Sequence, residues 1–319
     1  MCSKSALGSL ASMAPAAELD LAWTAPPAVV AAAVLALLLF GHAVVRLRRR
    51  GRRELASWRR VVLFLAGLAL VVLPLVSPLD ELAERYLLSA HMLQHVLLAD
   101  AGPALLVLAV RGPLALFLLP QPALRGLAAL RPLLRLLGRP ETAFAIWLAT
   151  IVGWHFPAAY EYALRHPWAH DLEHATFVVA GTIAWIQVVD PLGHGRLTRG
   201  GRALFACAMF AFGTAIGDGL LFSRAPAYDV YAAQSHRVFG LSPLLDQRLA
   251  AVVMFAEQAL TVGTALVLLL RPYLTPTGRS GLSLRRFDRS LQTEARAEPT
   301  PPDCGTASGA SARLRPRSG

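Results

Sequence analysis

Apolar residues gather into seven runs, near 27–45, 61–76, 87–110, 142–157, 172–189, 203–222 and 249–270. Each is close to the ~20 residues that a helix needs to cross a bilayer, some a little shorter. A backbone in lipid must satisfy its own hydrogen bonds segment by segment, so the runs predict helices. The expected fold is an all-α membrane protein with seven transmembrane helices. Between runs three and four, the stretch 111–140 alternates Leu-rich pieces with Pro113, Pro120, Pro122, Pro132 and Pro140. It reads as short amphipathic helices on the membrane surface.

Composition agrees with the pattern. The chain is 55% hydrophobic and only 16% charged, which excludes a large soluble domain. The net charge of +11 comes almost wholly from Arg, with Lys4 the only lysine. Those charges lie in short loops between apolar runs, so they speak of topology and not of nucleic acid. Loops after runs one, three and five, with the tail, hold 25 basic residues; the other side holds 6. The positive-inside rule puts the N-terminus outside and the C-terminus in the cytoplasm. Residues 1–26 are then an extracytoplasmic segment without a signal-peptide pattern. Residues 27–270 form the transmembrane domain. Residues 271–319, rich in Arg, Ser, Pro, Gly and Thr, form a basic tail expected to be disordered and dispensable. Cys2, Cys207 and Cys304 have no CxxC spacing, so neither a disulfide framework nor a thiolate site is indicated.

Polar residues inside the runs carry the candidate chemistry. His91 and His95 stand one helical turn apart at the start of the third run, and His170 and His174 repeat the spacing at the fifth. By rise per residue His91 lies ~6 Å and His95 ~12 Å below the start of its span. His155 lies near the same end of span four, Asp218 near that end of span six, and Glu257 about 12 Å into span seven, level with His95. Ionisable groups are expensive in lipid and usually face a bundle interior with a task. Imidazole and thioether are copper ligands, and imidazole also binds zinc or haem iron. A single such His is more often an interhelical hydrogen bond; five in one leaflet favour a metal or haem. Met254 and Glu173 are weaker candidates, and Asp218 and Glu257 are candidate partners of the imidazoles, proton groups or helix contacts. Asp100 reads as an interhelical bond, Met209 as packing, and His42 and His194 as solvated. The last span contains no Lys for a retinal Schiff base. HExxH and GxSxG are also missing.

The string His91-Met92-Leu93-Gln94-His95, with Leu97-Leu98 and Pro103-Ala104-Leu105-Leu106-Val107 after it, resembles the signature of the multi-helix CtaG family of bacterial cytochrome c oxidase assembly factors. That name is shared with an unrelated single-span copper chaperone. The resemblance continues through His155, Tyr160, Ala163-Leu164, His170, Glu173-His174, Trp185 and Pro191. It resumes at Asp246-Gln247 and Met254, covering about residues 60–270. Departures fall at Ala250 or Ala251 in place of Gly, Phe255 in place of Trp, and a single Pro103 in place of two. The resemblance implies a multi-pass protein of the bacterial plasma membrane that serves cytochrome c oxidase subunits and has no turnover of its own. It also implies copper supplied on the outer side, and it adds Asp246 to the weaker site candidates. Two alternatives stay open on the residues alone: a metal or proton transporter, and a haem-binding electron carrier. A transporter would need polar groups deep in the inner leaflet, where only Asp100 is expected.

Overall fold

The computed structural model describes residues 22–119 and 121–274. Helices occur in the order α1 (Pro27–Arg49), α2 (Trp58–Val76), α3 (Pro78–Arg85), α4 (Leu88–Val96), α5 (Gly102–Ala109), α6 (Pro113–Phe117), α7 (Gln121–Ala129), α8 (Arg131–Leu137), α9 (Pro140–His155), α10 (Pro157–Arg165), α11 (Pro167–Val189), α12 (Arg199–Phe222), α13 (Asp229–Ala232) and α14 (Pro243–Leu274). No strand occurs among the described residues. The expected tail from residue 275 on and most of the N-terminal segment lie outside the described residues, while residues 271–274, expected to belong to the disordered tail, are the helical end of α14. Two units are distinguished, Met1–Arg271 and Pro272–Gly319, and the packing described below is within the first.

Among the described residues, six helices are long and apolar enough to cross a bilayer, and a seventh span results if α9 and α10 count as one. Those two meet at a bend of 74°. Pro157 disfavours helical backbone in the residue before it, and Phe156 is extended at φ −69, ψ 125. Span four therefore ends as a straight helix at His155, and α10 turns aside. Prolines also open α1, α3, α6, α9 and α11, where a missing N–H leaves no intrahelical bond unmade. The 111–140 stretch forms three short helices, α6 to α8, as its proline spacing predicts.

The third span is one crossing with a defect inside it. Between α4 and α5, Leu97–Ala101 forms a π-turn. Pro103 has no N–H to offer the Ala99 carbonyl, and the Gly102 N–H bonds Leu97 O, five residues back. The released Ala99 carbonyl lies against α11, and a Cβ on Gly181 would overlap it. Small residues that let helix backbones approach are a common packing device in membranes. The α4–α5 column and α11 are the most buried spans, while α1 and α2 show most of their surface to the outside. Leu35, Leu38, Leu65, Leu204 and Leu260 are among the exposed apolar side chains. Trp23 and Trp168 are exposed at one end of the bundle and Trp58 at the other, the pattern of interfacial aromatic belts.

Candidate functional site

α4 is set in place by a carboxylate from the far end of the sequence. Asp246, in the first turn of α14, accepts from the backbone N–H of Leu88 (2.6 Å) and Ser89 (3.2 Å) and from Ser89 Oγ (2.5 Å). An acidic group on a helix N-terminus satisfies open amides and complements the helix dipole. Asp246 thus positions the helix that carries His91 and His95, and its oxygens are committed to that task.

The five histidines come together. Ring centroids of His91 and His95 are 4.2 Å apart, His170 and His174 4.1 Å, His91 and His170 5.3 Å, His95 and His174 5.8 Å, and His95 and His155 6.2 Å. Four of them, His91, His95, His170 and His174, are buried. Two overlapping sets have ligand atoms within 4.8 Å of one another: His91, His95 and His174, and His91, His170 and Glu173.

Three of the imidazoles are held by Nδ1. His91 Nδ1 lies 2.8 Å from both the Tyr231 and the Tyr160 hydroxyls. Tyr231 donates to Ala83 O at 2.6 Å, and the two hydroxyls are 3.1 Å apart. Two proton arrangements satisfy these distances: His91 Nδ1–H donates to the tyrosine pair, or Tyr160 donates to Nδ1 and His91 Nε2–H points at His170. His170 Nδ1 lies 2.9 Å from Glu84 Oε1, so it donates to the carboxylate. His155 Nδ1 donates to Ile151 O at 2.8 Å. His170 and His155 then keep a bare Nε2, and so does His91 in the first arrangement. His91 Nε2 and His170 Nε2 face each other at 3.4 Å. His155 Nε2, His174 Nε2 and both nitrogens of His95 are buried without a hydrogen-bond partner. The closest acid to His95 is Glu173, with Oε1 at 3.5 Å from Nε2, too long for a good hydrogen bond.

A cavity of about 30 Å³ adjoins these rings, lined by His95, His155, Met92, Met254 and Asp100 among others. It has room for one or two water-sized occupants and none for a macrocycle. Its lining offers imidazole nitrogen and thioether sulfur, together with the Asp100 carboxylate and the Gln258 amide. Glu84, with a side chain 38% exposed, joins buried His170 to the surface. Beside it Asp80 accepts from Gln94 Nε2 at 2.7 Å, and Gln94 also reaches Pro74 O. Burial pushes the Asp80 carboxyl up to about 6, against the lowering effect of the Gln94 hydrogen bond.

Other candidates are placed elsewhere. Asp218, half-exposed on α12, is in neither set of converging ligand atoms. Glu257 lies close enough to Asp100 for the two carboxyls to interact, bonds Thr261, and is in neither set of converging ligand atoms. Asp100 accepts from Trp185 Nε1 at 2.7 Å, the interhelical bond expected of it. Met209 packs in the core, and His42 and His194 are exposed. Glu84, Tyr231 and Gln94 were missed as site residues. Glu84 and Tyr231 reach the histidines only through contacts between segments, whereas Gln94 stands on α4 between His91 and His95, within the quoted family string.

These features define a multi-pass helical membrane protein with a buried imidazole cluster near one face. A family model described as cytochrome c oxidase caa3 assembly factor (Caa3_CtaG) matches residues 38–275. The chain belongs to that family, which extends the resemblance beyond residues 60–270 at both ends. No curated protein and no solved structure matches it.

Proposed function

We propose that this protein handles copper during assembly of a haem-copper oxidase in the bacterial plasma membrane, receiving the ion at His91, His95, His155, His170 and His174 on the outer side. One observation carries the reading. With Nδ1 of His170 held by Glu84 and Nδ1 of His91 held by the tyrosine pair, the two Nε2 atoms face each other at 3.4 Å inside the bundle. Lone pairs repel at that range unless a cation or proton lies between them. Anchored Nδ1 with free Nε2 is how proteins prepare metal-binding histidines. Met92 and Met254 beside His95 and His155 favour Cu(I) over harder ions.

Interhelical hydrogen bonding is a poor account of His95, whose two ring nitrogens have no such bond. Haem is disfavoured by the small space between the rings. A transporter reading retains one supporting observation: the cavity at His95 is also lined by Asp100, so polar groups continue inward. Copper flux into proteoliposomes containing the purified protein would favour transport; retention without flux favours delivery.

The test compares His91→Ala, His95→Ala and His174→Ala at matched membrane abundance. Each is expected to lower copper retention by the purified protein and aa-type oxidase absorbance in a strain without the native gene. If all three keep wild-type copper and oxidase levels, the copper reading is wrong.

A further inference from the structure

A second chamber lies at the opposite end of the bundle from the histidines, between α5, α11, α12 and α14. Its volume is about 450 Å³, within the ~300–1,000 Å³ of small-molecule sites. Three arginines line it: Arg111 just after α5, and Arg199 and Arg202 in the first turn of α12. Among the described residues no carboxylate, imidazole, thioether or thiol lines it, so they offer nothing to an iron or copper ion there.

We propose that this chamber binds an anionic phospholipid, with the phosphate at Arg111, Arg199 and Arg202 and the acyl chains along leucines of α5 and α14. Three separate features converge on that ligand. The first is charge. Arg202 donates through Nε to Val188 O at 2.7 Å and through Nη2 to Val189 O at 2.8 Å. Those bonds cap the last carbonyls of α11, hold the guanidinium still, and leave Nη1 uncommitted. Arg111 and Arg199 are exposed and have no side-chain partner among the described residues. The second is the helix end. Thr198 Oγ1 accepts from Gly201 N at 3.1 Å and caps α12, so the helix presents its positive N-terminus beside Arg199.

The third feature separates a lipid from a free anion. Apart from Thr261 and Thr264 the remaining walls are apolar, with Leu105 and Leu108 on one side and Leu260 and Leu268 on the other. Leu260 is 74% exposed and Leu268 63% exposed, so the chamber opens sideways, where α14 meets the hydrocarbon. A soluble anion has no need of that opening, whereas a lipid can enter through it with its chains still in the bilayer. Basic pockets between membrane helices near a charged face are the usual setting for acidic headgroups.

The test uses the full-length protein in a neutral detergent. Retained lipid is measured by native mass spectrometry, and the thermal midpoint is measured with added phosphatidylglycerol, phosphatidylcholine or inorganic phosphate. Phosphatidylglycerol should be retained and should raise the midpoint, and the other two should do neither. The variant R111Q/R199Q leaves the Arg202 cap in place and should lose phosphatidylglycerol retention by on the order of tenfold. R111K/R199K should recover part of it. Equal retention of phosphatidylglycerol and phosphatidylcholine overturns the proposal, because it shows only a generic lipid coat. Phosphate alone matching phosphatidylglycerol also overturns it in favour of a free-anion site. Unchanged retention in R111Q/R199Q removes the arginines from any role. Should that variant not accumulate, the wild-type preference among the three additives still decides.

Discussion

At the scale of single residues, the hydroxyls of Tyr160 and Tyr231 do as much for the cluster as the histidines do. They hold the His91 ring by Nδ1 so that Nε2 meets His170. Either tyrosine alone can accept from Nδ1, so Tyr160→Phe should weaken copper retention only a few-fold. Tyr160→Phe with Tyr231→Phe should weaken it by tenfold or more, roughly the range for losing an outer partner of a metal-binding His. Copper content at matched protein yield checks both. Asp80 makes a different prediction. Its carboxyl is raised by burial to about 6 in the fold, above its value in the unfolded chain. The folded state therefore holds its proton more tightly, and this group's contribution to stability falls as pH rises from about 4 through 6. Asp80→Asn should raise the thermal midpoint at pH 7.5 and change it little at pH 4, read as a flatter dependence of midpoint on pH. An unchanged pH dependence would show that Asp80 is not desolvated.

At the scale of elements, the π-turn and Gly181 form one device. Pro103 frees the Ala99 carbonyl, and α11 can sit against it only because residue 181 has no side chain. Phe177, one turn earlier on α11, packs against His95 with ring centroids 4.5 Å apart. Gly181→Ala should push α11 away, lower protein yield in the membrane, and lower copper retention in what remains. Gly41→Ala is the control, since a Cβ there meets nothing within 4 Å. Equal behaviour of the two variants would mean that the close approach of α11 is not needed.

At the scale of the whole molecule, the two faces of the bundle differ in charge and chemistry. One end carries the imidazoles with Asp80, Glu81 and Glu84; the other carries the arginines of the loops. The positive-inside rule places the arginine face in the cytoplasm. Reporter fusions at His166 and Asp229 should read as external, and fusions at Gly51 and Gly195 as cytoplasmic. An external signal at Gly51 would turn the molecule over and put the histidine cluster on the cytoplasmic side.

The sequence by itself determined the helical class, the approximate spans, the three short helices of 111–140 and the two His pairs. Hydropathy and the 3.6-residue period act locally, so they are readable along the chain. It also carried the family string, which the family match confirms and extends. Only the tertiary structure decided that α10 turns aside at Pro157, that Glu257 lies beside Asp100, and that Asp246 caps α4. It alone brought Glu84 and Tyr231 to the rings, because these contacts join residues 86 and 140 positions from their partners. Helix directions and apolar periodicity say nothing of how far each helix is rotated or slid. Close packing at points such as Gly181 sets that, and with it which nitrogen of each histidine is left free.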